Sequence, residues 1–330
     1  ANPVVSHLGS SNLPCRATSY RGRVHSFDGP HTVLMEGSAT GGWFIVGFSF
    51  PVLLACALAL SFLIWLTLRH LSLRPSNDRS WVNDNEKMAT ADFNGDVVTV
   101  RNVRDFNWRS TKDFDERWID VEINLNKVSK IWFVLEYFDP SKRQMAHTIM
   151  SFETEDGERL ACSIEVRREK GERYHPIKGM FRQYELIYVW ATERDVIGVR
   201  ARCRKKSVTH LFEAVVLGPG NERRMLESYL RRTNKLSEDP EWYNTVTNTC
   251  TTNIVGHVNE VYPGRVPRAI SILLPGLSPK LLHRNNLVKM RGTLEETLEM
   301  SIIDKRADSW DGMSDFGDWI RSEGSIDSSP

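Results

Sequence analysis

No two of the five cysteines (15, 56, 162, 203 and 250) form a C-x-x-C pair, so the usual zinc and dithiol redox patterns are absent. Neither sign of charge dominates, because 43 basic residues stand against 42 acidic ones for a net charge of +1. A dedicated nucleic-acid binder would show a basic excess or stripe, so no nucleic-acid partner is expected. No internal repeat is visible, and neither a metal nor a cofactor is expected. Cys15 lies in a polar tail and Cys56 in an apolar run, which leaves an odd number of cysteines for the globular part. Cys162 and Cys203 stay open as a disulfide pair, which spacing alone does not decide.

What the chain does have is one long uncharged run, the 26 residues from Trp43 to Leu68. About 20 apolar residues cross a bilayer, so the run predicts a transmembrane helix over 43–68. Trp43 and Trp65 stand near its ends, where aromatic rings favour the interface. A cleaved signal peptide fits less well, since its apolar core is usually about 7–15 residues long. Residues 1–42, rich in Ser, Gly and His, read as a disordered tail. Arg69, Arg74, Arg79 and Lys87 follow the span closely, whereas Arg21 and Arg23 lie about 20 residues before it. Taken by itself, that asymmetry puts the C-terminal part in the cytoplasm.

After a polar linker (69–90), short apolar runs alternate with turn residues across a globular region, 91–303. DVVTVRNV (96–103), KIWFVLEYF (130–138), AHTIMSFET (146–154) and RLACSIEVR (159–167) read as strands, the last two joined by the Asp156-Gly157 turn of a hairpin. YELIYVWA (184–191), VIGVRARC (196–203) and VTHLFEAVV (208–216) read as further strands. Asn221 is placed to cap a helix running to Leu236, with Met225, Leu226, Tyr229 and Leu230 on its apolar face. A second helix is expected from about Asn248, and a short amphipathic piece over 294–303. Residues 304–330 read as a polar tail. The fold class is α+β: an antiparallel sheet packed with helices, preceded by one transmembrane helix.

The segment WYNTVTNTCTTNIVGHV (242–258) carries the sharpest chemical signal. With Thr247 or Asn248 as N-cap, Cys250 falls in the first helical turn. Free N–H groups and the positive end of the helix dipole there stabilise a thiolate, the reactive form of cysteine. A nucleophilic cysteine needs a base. His257 is too far along the same helix, about 10.5 Å of rise, and reads as a surface or packing residue. His147 is preferred, on a strand face shared with Ile149 and Ser151. His175 and His210 are weaker choices. Asn248, Thr251, Ser151 and Glu165 are candidates for orienting or oxyanion-binding roles. Glu185, costly to bury alone, is expected in a structural ion pair with Arg167, Arg182 or Arg194.

Six segments, LRPSNDRSW (73–81), VRNVRDFNWRS (100–110), AHTIMSFET (146–154), SIEVRREKGERY (163–174), FRQYELIYVWATERDVI (181–197) and YNTVTNTCTTNI (243–254), together resemble one bacterial membrane-anchored family. It is the family of the N-terminal periplasmic domain of the lipoprotein N-acylation transacylase Lnb, and the segments occur in its order. The cysteine segment is also similar to that of lecithin–retinol-acyltransferase-like proteins, which implies a permuted papain-like (NlpC-type) core. The resemblance implies acyl transfer between lipids, or from lipid to an amine, through a thioester on cysteine. Cys250 matches the family's cysteine in its T-x-N-C-T-T-like motif, and His147 the histidine of A-H-T-x-x-S-F. Thr249 stands where asparagine is common, with Asn248 beside it as an alternative orienting amide. The implied partner is a membrane lipid or lipoprotein, and the implied place a domain on the periplasmic side of the bacterial inner membrane, against the local charge count. Two other readings stay open: a cysteine amidase or peptidase of the cell envelope, and a non-enzymatic envelope binding protein. The oligomeric state is not legible.

Overall fold

The computed structural model describes residues 50–267 and 274–322. The expected tail 1–42 with Cys15, the first residues of the expected span (43–49) and the last eight residues of the chain lie outside them. The chain divides into two compact units, Ala1–Leu66 and Thr67–Pro330.

The described part of the first unit is helix α1 (Phe50–Ser72), whose last turn belongs to the second unit. It is 23 residues long with a mean hydropathy of 2.3 in its most apolar stretch, and none of its residues is buried. At 1.5 Å per residue it spans about 34 Å, enough for a hydrocarbon core of about 30 Å.

The second unit opens with β1 (Thr90–Asn94), β2 (Val97–Arg104), β3 (Asn107–Trp108), β4 (Phe114–Asp115), β5 (Trp118–Asn124) and β6 (Val128–Tyr137). There follow β7 (Ala146–Thr154), β8 (Arg159–Arg167), β9 (Glu185–Ala191), α2 (Glu193–Val196), α3 (Gly198–Cys203) and β10 (Val208–Glu213). Among the described residues there follow α4 (Asn221–Glu238), α5 (Cys250–Val261), α6 (Ser278–Arg284), α7 (Leu294–Ser301), α8 (Asp304–Asp308) and α9 (Phe316–Arg321). The main sheet runs β1-β2-β9-β8-β7-β6-β10 with β5 also on β2, and β3 pairs with β4 apart from it. All pairings are antiparallel except a single parallel bridge between β2 and β9.

Period-2 alternation splits the apolar residues of each strand between two cores. On one face Phe133, Met150, Cys162, Tyr188 and Trp190 pack under α4 and α5. On the other, Val134, Ile149, Ala161, Ile187 and Val189 pack under α2, α3, α8 and α9. A sheet covered on both faces explains why β9 is buried at every position.

Several expectations are corrected here. VIGVRARC is not a strand: Thr192 caps Asp195 N, and the chain continues as α2 and α3, with Val196 and Ile197 buried against the sheet. The expected polar tail after 303 forms α8 and α9, and Ala307, Phe316 and Ile320 enter the second core. The expected linker is partly built into the domain, with Trp81 and Asn85 buried and Trp81 bridging Glu169. The pairing left open between Cys162 and Cys203 is decided as well, since both are free.

Candidate active site

Helix α5 starts one or two residues later than expected. Thr249, not Thr247 or Asn248, is the N-cap: its hydroxyl accepts from Thr252 N while Thr252 Oγ1 accepts from Thr249 N, a reciprocal capping box. Cys250 is therefore the first helical residue. By position, the N–H groups of Cys250 and Thr251 have no intrahelical acceptor and point out of the helix end. The thiol is buried, with Thr251 Oγ1 at 3.7 Å from the sulfur.

His147 reaches it through a gap in the sheet. The β7–β8 ladder begins at Ile149↔Ser163, so β7 residues 146–148 are paired with β6 and unpaired from β8. His147 lies at this opening. By alternation it shares a face with Ile149, and its charge and hydrogen bonding act on the Cys250 thiol.

Electrostatics follow from that contact. Burial pushes the Cys250 thiol up, yet the charge of His147, hydrogen bonding from His147 and the hydroxyl and main chain of Thr148 outweigh it. The net result is a thiol lowered from 9.0 to about 6. Thr148 is fully buried, and its hydroxyl has no nitrogen or oxygen partner.

Behind the imidazole runs a chain of polar contacts on the second face. His147 Nε2 is 2.7 Å from Ser163 Oγ, and Ser163 Oγ donates to Glu165 Oε1 at 2.7 Å. Glu165 accepts from Arg200 Nη2 at 2.6 Å. Arg200 in turn pairs with the buried Glu136, which Arg204 also meets. Burial raises the Glu165 carboxyl, but Arg200, His147 and Arg104 together hold it far below the usual carboxylate range. It is an anion at any physiological pH.

Residues 114–276, which contain both side chains, match the family model of the Lnb N-terminal periplasmic domain. This domain belongs to that family. No curated protein and no solved structure matches the chain. The apolar helix and the family match together support an inner-membrane protein whose Lnb-type domain lies in the periplasm, against the simple charge count of the flanking residues.

The remaining candidates in the Lnb-type domain divide. Thr251 and Glu165 join the neighbourhood of the pair, as above. Asn248 does not: its amide donates to Trp242 O at 2.9 Å and accepts from Asn253 Nδ2 at 2.8 Å, which folds the turn before the helix. Ser151 shares His147's strand face but lies four residues on, where it donates to Glu193 Oε1 at 2.6 Å. Ser163, which sequence reasoning missed, occupies the place imagined for it. The signal was present in the alternation that puts Ser163 and Glu165 on one face of β8.

Glu185 pairs with Arg79 at 2.9 Å, not with any of the three arginines named for it. Arg167 donates instead to the main chain of Asn85 and Glu86 and stacks over Trp81, Arg182 donates to His70 O, and Arg194 pairs with Asp105. His257 is a packing residue: buried, stacked on Tyr229 and bonded to Tyr188 and Ser228, it is lowered to about 3 by burial and by Arg232. His210 is likewise kept neutral by burial, lowered to about 4, and hydrogen-bonds Ser301.

An apolar cavity opens beside the cysteine. Thr251 and Ile254 of α5 form one wall, Phe133 and Met150 of the sheet another, and Met225 and Leu282 close it. Thr251 therefore touches both the sulfur and the cavity.

Proposed function

We propose that the domain is a membrane-anchored, thiol-dependent acyltransferase or lipid-ester hydrolase. Cys250 is the nucleophile and His147 its base. The feature that carries this reading is a buried cysteine at the first residue of a helix, whose thiol is lowered by His147 and Thr148 where burial alone would raise it. Cys162, buried in the same core without such a partner, is raised well above its ordinary value.

In the first step the thiolate attacks the ester carbonyl of a phospholipid or lipoprotein glyceride. The N–H groups of Cys250 and Thr251 and the hydroxyl of Thr148 are the donors available to the developing oxyanion. Collapse of the tetrahedral adduct breaks the carbon–oxygen bond, and His147 gives its proton to the departing alcohol. An amine or water then attacks the thioester, its proton passes to His147, and the carbon–sulfur bond breaks to release the thiolate. Glu165, acting through Ser163, holds the imidazole in place through this cycle. These two are positioning residues.

The apolar cavity beside Thr251 favours a fatty acyl group over a peptide as the group transferred. A strand histidine that precedes a helix-start cysteine in chain order supports the permuted papain-like reading of the core. Cys250→Ala in the full chain, assayed with diacylated lipoprotein and phospholipid, is expected to abolish acyl transfer and deacylation alike. Unchanged product would remove the proposal. Product from a peptide amide rather than an ester would move it to the amidase reading.

A further inference from the structure

We propose that the loop between β8 and β9 is a bilayer-contacting surface that holds the Cys250 end of the domain against the membrane. This rests on a different observation from the acyl-transfer chemistry and stands whether or not that chemistry is correct. Most apolar side chains of the domain are buried, but this loop is an exception: Ile177 is 61% exposed, Phe181 59% and Met180 44%. Their carrier is rigid. Gly179 is packed so closely that a Cβ there would meet Thr245 Oγ1 at 2.4 Å, Thr245 N donates to Gly179 O, and Thr245 Oγ1 donates to Pro176 O. The apolar side chains are thus held out into solvent by a structured base, and that base is the turn leading into Cys250. Val246, in the same turn, adds a further exposed apolar residue.

The last turn of α1 identifies the occupant. It belongs to the same compact unit as this loop. The ring of His70 meets Phe181 edge-on at 6.4 Å, and Arg182 donates to the carbonyl of His70 at 3.1 Å. His70 stands only two residues beyond Leu68, where the uncharged run ends. At 1.5 Å per residue, the loop therefore lies within about one helical turn of the level at which the chain leaves the hydrocarbon. Lys178 and Arg182, interleaved with the apolar side chains, supply the charge that anionic headgroups attract. A lipid surface fits this composition, apolar tips among cations, better than a protein interface, whose centre is depleted of lysine. The loop also lies at the working end of the sheet: β8 finishes there, β9 begins there, and His147 is the second residue of β7 at that end.

The test uses the full chain in nanodiscs of phosphatidylethanolamine and phosphatidylglycerol, with a benzophenone amino acid placed at 177, 180 or 181 in separate variants. Met313, 93% exposed beside the β7–β8 hairpin at the opposite end of the strands, is the control position. Irradiation followed by mass spectrometry is expected to give acyl-chain adducts at the loop positions at least tenfold above Met313. All of these residues are exposed, so the variants retain their core, and three loop positions guard against a local failure. Equal lipid adducts at the control, no lipid adduct at any loop position, or capture there of a second copy or another protein would each overturn the proposal.

Discussion

Replacing Ser163 by alanine isolates the polar chain behind His147. The serine is fully buried, and its hydroxyl bridges His147 Nε2 and Glu165 Oε1 at 2.7 Å each. Alanine removes both contacts and leaves Arg200 to hold Glu165 alone. A hydrogen bond to a charged partner contributes about 1.5–3 kcal/mol, and about 1.4 kcal/mol moves a titration by one pH unit. Loss of the bridge frees the imidazole to turn away, and the thiolate loses the partner that lowers it. The titration of Cys250, lowered to about 6 in the intact chain, is then expected to rise by about one pH unit or more. At pH 7 the thiolate fraction would fall from about nine-tenths to about half or less. The assay is the pH dependence of iodoacetamide alkylation at Cys250, read by peptide mass spectrometry, with the melting temperature recorded alongside. A midpoint that does not move while the domain stays folded would refute the relay through Ser163.

Three further outcomes follow from the same structure. Asp195, fully buried, accepts from Arg104 twice at 2.9 Å, from Phe106 N at 2.8 Å and from Trp108 Nε1 at 2.7 Å; Asp195→Asn should cost about 3–5 kcal/mol in urea unfolding by leaving Arg104 without its counter-charge. Burial raises Glu185 from 4.5 to about 7 against the pull of Arg79. The folded state then holds a proton that the unfolded chain has released, so stability declines as pH rises from about 4.5 to 7 and levels off above, by on the order of 3 kcal/mol in all; Glu185→Gln should flatten that decline in melts taken across this range. A Cβ on Gly276 would lie 1.5 Å from the carbonyl oxygen of Arg143, main chain against main chain, so Gly276→Ala should lower the melting temperature by several degrees, which scanning calorimetry reads.

Legibility from sequence tracked how local each cause is. Strands β6 to β9 and helix α4 could be read because period 2 and period 3.6 are written in neighbouring residues. VIGVRARC misled because Val196 and Ile197 carry the β-branched bias of a strand, while Thr192, four residues upstream, caps a helix. The same kind of cap at Thr249 was recognised in outline one or two residues early, since threonine and asparagine alternate there and each can cap. The candidate site was legible as residue types on their elements, a helix-start cysteine and a strand histidine, but not as a network. Ser151 and Ser163 lie on the same face of neighbouring strands, and only the register at Ile149↔Ser163 puts one beside His147 and the other beside Glu193. Arg79 escaped as the partner of Glu185 because it lies in a stretch that reads as linker, and the ion pair forms only once that stretch packs on the sheet.

The measurement that bears most directly on the account is the intact mass of the full chain after incubation with diacylated phospholipid vesicles and rapid acid quench. The account predicts an added mass of one fatty acyl group on Cys250, removed by neutral hydroxylamine as a thioester is, and absent from both Cys250→Ala and His147→Ala. A chain that alkylates readily at Cys250 yet never carries a hydroxylamine-labile acyl group would contradict it.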